Sequence, residues 1–153
     1  MGEVIYNRGN LFKAIGRQTI LVHACNCEGV WGSGVAKGFN ELLPAAFHRY
    51  RAHCLERSRE ELVGSSLIVK HLSQHVGCLF TSKGFGGEVD SVDDIVEQTA
   101  MALNDFMIKV PPYLDIHSPK FNSGLFNVPW HMTEEILFDI CRAYDTTWTV
   151  WQF

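Results

Sequence analysis

The sequence predicts an α/β domain layered around a mainly parallel sheet. Strand-like and helix-like segments alternate along the chain, the order expected when helices cover the faces of a sheet. Residues 19–24 form a nearly continuous apolar, β-branched run, as in a strand covered on both faces. Polar or glycine-rich loops follow the strand candidates that end near Ala24, Thr81 and His117.

Val4-Ile5-Tyr6 reads as a short first strand and residues 19–24 as the second. The glycine-rich stretch from Gly29 to Gly38 runs into a helical pattern with Val35, Phe39, Leu42 and Leu43 on one side. Pro44 breaks or restarts that helix, because proline suits a first turn and not an interior. The helix that follows carries Phe47, Tyr50 and Cys54 on one face. Residues 66–69 and 76–81 are two further strands. Ser91 with Asp94 makes a capping box that opens a helix bearing Ile95, Thr99, Leu103 and Phe106, and Pro111-Pro112 ends it. Residues 113–117 form a weaker strand and Asn122-Ser123-Gly124 a turn. Pro129 or Thr133 starts a last helix with Ile136, Ile140 and Tyr144 inward, and residues 148–153 close the chain as an aromatic strand. Its Trp148 and Trp151 fall on opposite faces, so both can be core. In sheets of this order, ligands sit beyond the carboxyl ends of the strands.

The chain has 153 residues, 46% hydrophobic and 20% charged, the make-up of one globular domain over 1–153. Thirteen basic against 17 acidic residues give a net charge of −4, which argues against direct binding of nucleic acid by phosphate neutralisation. A phosphate-bearing small ligand stays open, since backbone N–H groups bind phosphate without a basic surface. The five cysteines include no CxxC pair and read as reduced, buried thiols. The seven histidines lack HxxxH or HExxH spacing, so neither a metal site nor a cofactor is expected. No secretory signal or membrane-length apolar run is visible. A monomer in the cytoplasm or nucleus is expected.

Three loops carry the chemistry. The first runs from His23 through Cys25-Asn26-Cys27 to Gly32-Ser33-Gly34 and Gly38. It matches neither the dinucleotide-binding fingerprint nor a Walker A loop. Its glycines suit either a phosphate cradle or a tight turn. The second, residues 81–87, combines hydroxyls with glycines and suits either a closing loop or a solvated turn. The third, residues 122–130, precedes a helix. A parallel sheet would bring all three to one edge.

Taken in series these pieces are specific. Arg8-Gly9-Asn10, residues 23–27, Trp31-Gly32-Ser33-Gly34, residues 78–82, residues 122–126, Val128-Pro129-Trp130 and residues 149–153 resemble the macrodomain family, and most closely its fungal ADP-ribose 1''-phosphate phosphatases. The resemblance implies a macrodomain-like three-layer α/β/α fold with a central mixed, mainly parallel sheet of about six strands. It implies ADP-ribose or ADP-ribose 1''-phosphate, a by-product of tRNA splicing, as ligand, and phosphate monoester hydrolysis as reaction. Binding without turnover, or removal of ADP-ribose from proteins, are the alternatives. A sister group that removes ADP-ribose uses a lysine near the position of Lys83 and an aspartate where this chain has Phe126.

Carried over residue by residue, Asn10 stands at the adenine amino group, where the family usually has an acid, with Leu11 next to it as a further ligand-binding residue, and Asn26 at the distal ribose. Gly32, Ser33 and Gly34 stand beside the distal ribose and diphosphate, with Trp31 of the same loop expected to line the pocket, and Ser82 in the loop after the middle strand. Ser123, Gly124, Leu125 and Phe126 form the second phosphate loop. His23, Asp90 and Asn26 are the catalytic candidates. His23 reads either as a base at the site edge or as a core histidine. Asp90 reads either as its carboxylate partner or as an acid at a helix start. Phe153 is expected near adenine.

Overall fold

The computed structural model describes residues 2–152. In chain order these form β1 (Glu3–Arg8), a 3-10 turn (Leu11–Ala14), β2 (Thr19–Asn26), α1 (Gly34–Leu42), α2 (Pro44–Leu55), α3 (Arg59–Leu62), β3 (Ser66–His71) and β4 (Gln74–Ser82). A second 3-10 turn (Gly86–Glu88), α4 (Val92–Lys109), β5 (Asp115–Ser118), α5 (Trp130–Tyr144) and β6 (Thr147–Gln152) follow. Each boundary has a local cause. Pro44 occupies the first turn of α2, where its missing N–H costs nothing. The Ser91 hydroxyl accepts from Asp94 N at 3.2 Å and starts α4. Asp145, at φ 49°, turns the chain out of α5. Two short turns and the four-residue α3 escape a reading by periodicity, because none is long enough to show a period.

The six strands stand in the order β1-β6-β5-β2-β4-β3. Only the β3–β4 pair is antiparallel. Five strands therefore send their carboxyl ends to the same rim. Strand alternation divides the core into two layers. Leu21 and Cys25 of β2, with Val76, Cys78 and Phe80 of β4, pack under α1, α2 and α3 through Phe39, Leu43, Tyr50 and Leu62. Ile20 and Val22 face the other way, with Leu79, Ile116, Trp148 and Val150, against Leu103 and Phe106 of α4 and Leu137 and Ile140 of α5. This is the three-layer α/β/α arrangement. Trp148 and Trp151 go to opposite layers, as the alternation predicts.

Three apolar residues depart from their expected positions. Val35 and Leu42 are exposed, so α1 docks through Phe39, with Ala36 partly buried beside it and Leu43 following at its end. Tyr144 lies at the surface, where its hydroxyl donates to Asn104 Oδ1 at 3.1 Å. The expectation for Phe153 falls outside the described residues.

A fixed tie joins α4 to β3. Asp105 Oδ2 accepts from Ser66 N at 2.8 Å, Ser66 Oγ at 2.7 Å and Lys109 Nζ at 2.7 Å. Burial opposes the Asp105 charge, but Lys109 and Ser66 outweigh it and hold this carboxyl below its usual range. A carboxyl depressed in the folded state contributes stability above its unfolded pKa and loses it as pH falls through the folded value. Asp105→Asn should therefore flatten the fall in unfolding free energy below about pH 4, measured by urea unfolding at stepped pH. Gly77, in the middle of β4, has no room for a side chain: an added Cβ would lie 2.8 Å from Phe106 Cε1 and 3.0 Å from Val22 Cγ2. Gly77→Ala should cost about 1–3 kcal/mol by overpacking, read in the same assay.

Candidate functional site

A cavity of about 930 Å³ opens at the rim where β2, β4 and β5 end. The loop after β2 contributes Asn26, Val30, Trp31, Gly32, Ser33 and Gly34, and the loop after β4 contributes Phe85 and Gly86. The loop after β5 contributes residues 119–122 and 124–127. All three glycine-bearing loops of the sequence thus meet at one place. A second hollow of about 700 Å³, over β3, is lined by His53, Arg57, Lys70 and Lys109 and by none of these loops.

The first loop is shaped by Asn26. Its Oδ1 accepts from Glu28 N at 2.9 Å, Val30 N at 3.4 Å and Tyr50 Oη at 2.9 Å, and its Nδ2 donates to Val30 O at 2.7 Å. The Tyr50 hydroxyl also lies 2.7 Å from the Asn26 carbonyl. Tyr50 is fully buried, so α2 fixes the start of the loop from below. The loop then enters α1 at Ser33, whose side chain makes no capping hydrogen bond. The first N–H groups of α1 therefore keep the donor capacity that an anion uses at a helix start. Gly34 has φ +61°, and a Cβ there would meet Leu125 Cδ1 at 3.5 Å, so the first and third loops touch.

Asn122 anchors the third loop. Buried and at φ 69°, its Oδ1 accepts from Thr81 Oγ1 at 2.8 Å, and its Nδ2 donates to Thr99 at 2.9 Å and Thr133 at 3.3 Å. One amide thus joins the end of β4, α4 and α5 beneath the cavity. Sequence pattern marked this residue only as part of a turn. Its partners are 41, 23 and 11 positions away, which no local pattern reveals. Lys120 was missed as well, and among the described residues it alone of the lining side chains carries a formal charge.

The expected ligand-binding residues divide into two groups. Trp31, Gly32, Ser33, Gly34, Gly124, Leu125 and Phe126 line the cavity. Asn10, Leu11, Ser82 and Ser123 do not. Asn10 spends its side-chain oxygen on Phe12 N at 2.9 Å, capping the first 3-10 turn, and Leu11 is buried in the core. Ser82 Oγ donates to Gly84 O at 2.8 Å and accepts from Asp90 N at 3.1 Å. Ser123 Oγ is enclosed without a partner.

The catalytic candidates are corrected in position. His23 touches the cavity floor but is only 2% exposed. Its ring stacks on Phe39 at 4.0 Å and meets Trp31 edge-on at 4.7 Å. Burial pushes its pKa down to about 3, so the imidazole is neutral. This is the core reading of His23, not the edge reading. Asp90 is not its partner: Asp90 Oδ2 accepts from Lys83 N at 2.9 Å and Gln98 Nε2 at 3.1 Å, which fixes the start of the loop after β4. Asn26 does line the cavity, with its amide committed to its own loop. Replacing it by Ala should cost about 1–3 kcal/mol of stability through the orphaned donors and acceptors, and should weaken ligand binding together with it. Urea unfolding and ligand calorimetry on one sample would check both.

The sequence comparison agrees with this geometry. Residues 22–137 match the family model described as Macro domain. An ADP-ribose 1''-phosphate phosphatase of Meyerozyma guilliermondii is 35% identical, with 90% of this chain and 93% of that one covered. One of Chaetomium globosum is also 35% identical, over 84% and 79%. Among solved structures, the macrodomain of Mycobacterium tuberculosis DarG superposes with a TM-score of 0.80 at 22% identity, covering 100% of this chain and 99% of that one. The macrodomain of Thermus aquaticus DarG gives the same TM-score at 20% identity, over the whole of both chains. With its sheet order, its three converging loops and a match over most of its length, the chain belongs to the Macro domain family.

Proposed function

We propose that this protein hydrolyses ADP-ribose 1''-phosphate to ADP-ribose and phosphate. The observation that carries the reading is a cavity built from two touching glycine loops, with the Lys120 cation on its wall. It is supported by the similarity along most of the chain to fungal proteins named for that activity. The uncapped N-terminus of α1 and the Gly124 loop suit a diphosphate, because their N–H groups meet anionic oxygens without repelling charge.

In the reaction, water adds to phosphorus, the bond from phosphorus to the sugar 1'' oxygen breaks, and that oxygen takes up a proton. The transition state of such a transfer spreads charge over the phosphoryl oxygens and the leaving oxygen. Backbone donors and Lys120 oppose that charge. No carboxylate lines the cavity among the described residues, and His23 is neutral and enclosed. The rate enhancement therefore rests on orientation and electrostatics more than on a side-chain base. Asp90 acts here as a positioning residue, since it holds the loop after β4 and does not line the cavity. The same shortage of acid–base groups favours a second reading, an ADP-ribose-binding module without turnover. Removal of ADP-ribose from proteins through Lys83 is disfavoured, because Lys83 does not line the cavity and Phe126 stands where an aspartate would be required.

Purified protein incubated with ADP-ribose 1''-phosphate should release inorganic phosphate. Tight binding of ADP-ribose with no release above a blank would leave the binding-module reading. Lys120→Ala should lower kcat/KM for the phosphate ester about tenfold to hundredfold, as expected for a lost charge-assisted contact of about 1.5–3 kcal/mol. The affinity for ADP-ribose, which lacks the 1'' phosphate, should fall less in a parallel calorimetric titration.

A further inference from the structure

His23, Cys25 and Cys78 form a buried group whose ligand atoms all lie within 4.8 Å of one another. His23 and Cys25 project from the same face of β2, and Cys78 sits opposite His23 on β4. Cys25 Sγ is 3.6 Å from His23 Nε2. A tetrahedral zinc ion, with Zn–S near 2.3 Å and Zn–N near 2.0–2.1 Å, requires sulfur and nitrogen about 3.6 Å apart and two sulfurs about 3.8 Å apart. The Cys25–His23 pair already stands at that spacing, and the Cys78 thiol lies within 4.8 Å of both.

Three further observations favour an ion. The His23 ring is almost fully enclosed, and among the described residues its ring nitrogens meet only the Cys25 thiol, at 3.6 and 3.9 Å. A buried imidazole ordinarily gives its N–H to an oxygen. Trp31 Nε1–H is likewise buried without a partner in good geometry, and it lies beside the Cys25 sulfur. That is the outer contact a metal-bound sulfur uses. Finally, His23 and Cys25 touch the floor of the cavity, which supplies an entry path.

We propose that His23, Cys25 and Cys78 constitute a zinc-binding site beneath the cavity floor, with the fourth coordination position filled by a water molecule. Charge selects the metal. Two thiolates and a neutral imidazole around a divalent soft cation leave no net charge in an apolar core, whereas a monovalent cation would leave an uncompensated negative charge there. Binding is balanced by the loss of two thiol protons: Zn²⁺ and two Cys–SH give the bis-thiolate zinc centre and two H⁺. The proposal does not depend on the phosphatase reading.

The test uses the whole, reduced, chelator-treated protein and two probes, Zn²⁺ and Co²⁺. Zinc should bind at one equivalent, release two protons into weakly buffered solution and raise the thermal unfolding midpoint. Cobalt should give tetrahedral d–d bands and a thiolate-to-metal charge-transfer band. Cys78→Ala should abolish that band, and Cys141→Ala, in the opposite core layer, should keep it. Should Cys78→Ala fail to fold, X-ray absorption of the zinc-loaded wild type decides, with two sulfurs and one nitrogen as the expected shell. A folded wild type without a charge-transfer band, or a band that persists in Cys78→Ala, would overturn the proposal.

Discussion

The parallel pairing of β2 with β4 on one side and β5 on the other is the constraint on which the rest of the molecule depends. β2 is almost entirely buried, so its ladder cannot slip without moving apolar side chains onto the wrong face. Because the three strands run the same way, the segments leaving them emerge together. The cavity follows from that direction of travel. The glycines then allow the backbone to close in, and the two buried amides, Asn26 and Asn122, fix how far it closes. Without the strand pairing, the same glycine loops would be ordinary surface turns.

Much of this was legible in the sequence. The uninterrupted apolar run of β2, the prolines at 44 and 111–112 and the capping pair at Ser91 and Asp94 are local signals, and local signals specify local structure. The convergence of the loops was legible only because parallel sheets leave few topologies to choose from. The short 3-10 turns were not legible, because they depend on what packs around them. Asn10, for example, uses its side chain to start one of them. Its side-chain oxygen accepts from Phe12 N, a use that the resemblance does not imply.

The candidate site was less legible than the fold, and His23 and Asp90 show why. Both have the right residue type in the right segment. What a histidine or an aspartate does depends on the dielectric and the partners around it, and those come from distant parts of the chain. Phe39, sixteen positions on, covers the His23 ring. Gln98, eight positions on, helps occupy the Asp90 carboxylate. The same blindness hid the grouping of His23 and Cys25 with Cys78, since strands adjacent in space are separated by three helices and an edge strand in the chain. Conversely, Lys120 carries no motif, and only its position on the cavity wall distinguishes it from other surface lysines.

The sheet order carries one more consequence, for biosynthesis. β6 lies between β1 and β5, and among the described residues β1 pairs with β6 alone. Glu3 pairs with Thr147 and Arg8 with Gln152, so the earliest strand must wait for the latest. While the chain is being made, β1 and the outer flank of β5 remain open edges, a hazard for a nascent chain. The closing step joins the two most distant segments of the sequence, and contacts of that range make folding slow. A ribosome stalled before residue 147 would therefore hold a sheet with a gap in it, whose first strand is a target for chaperones.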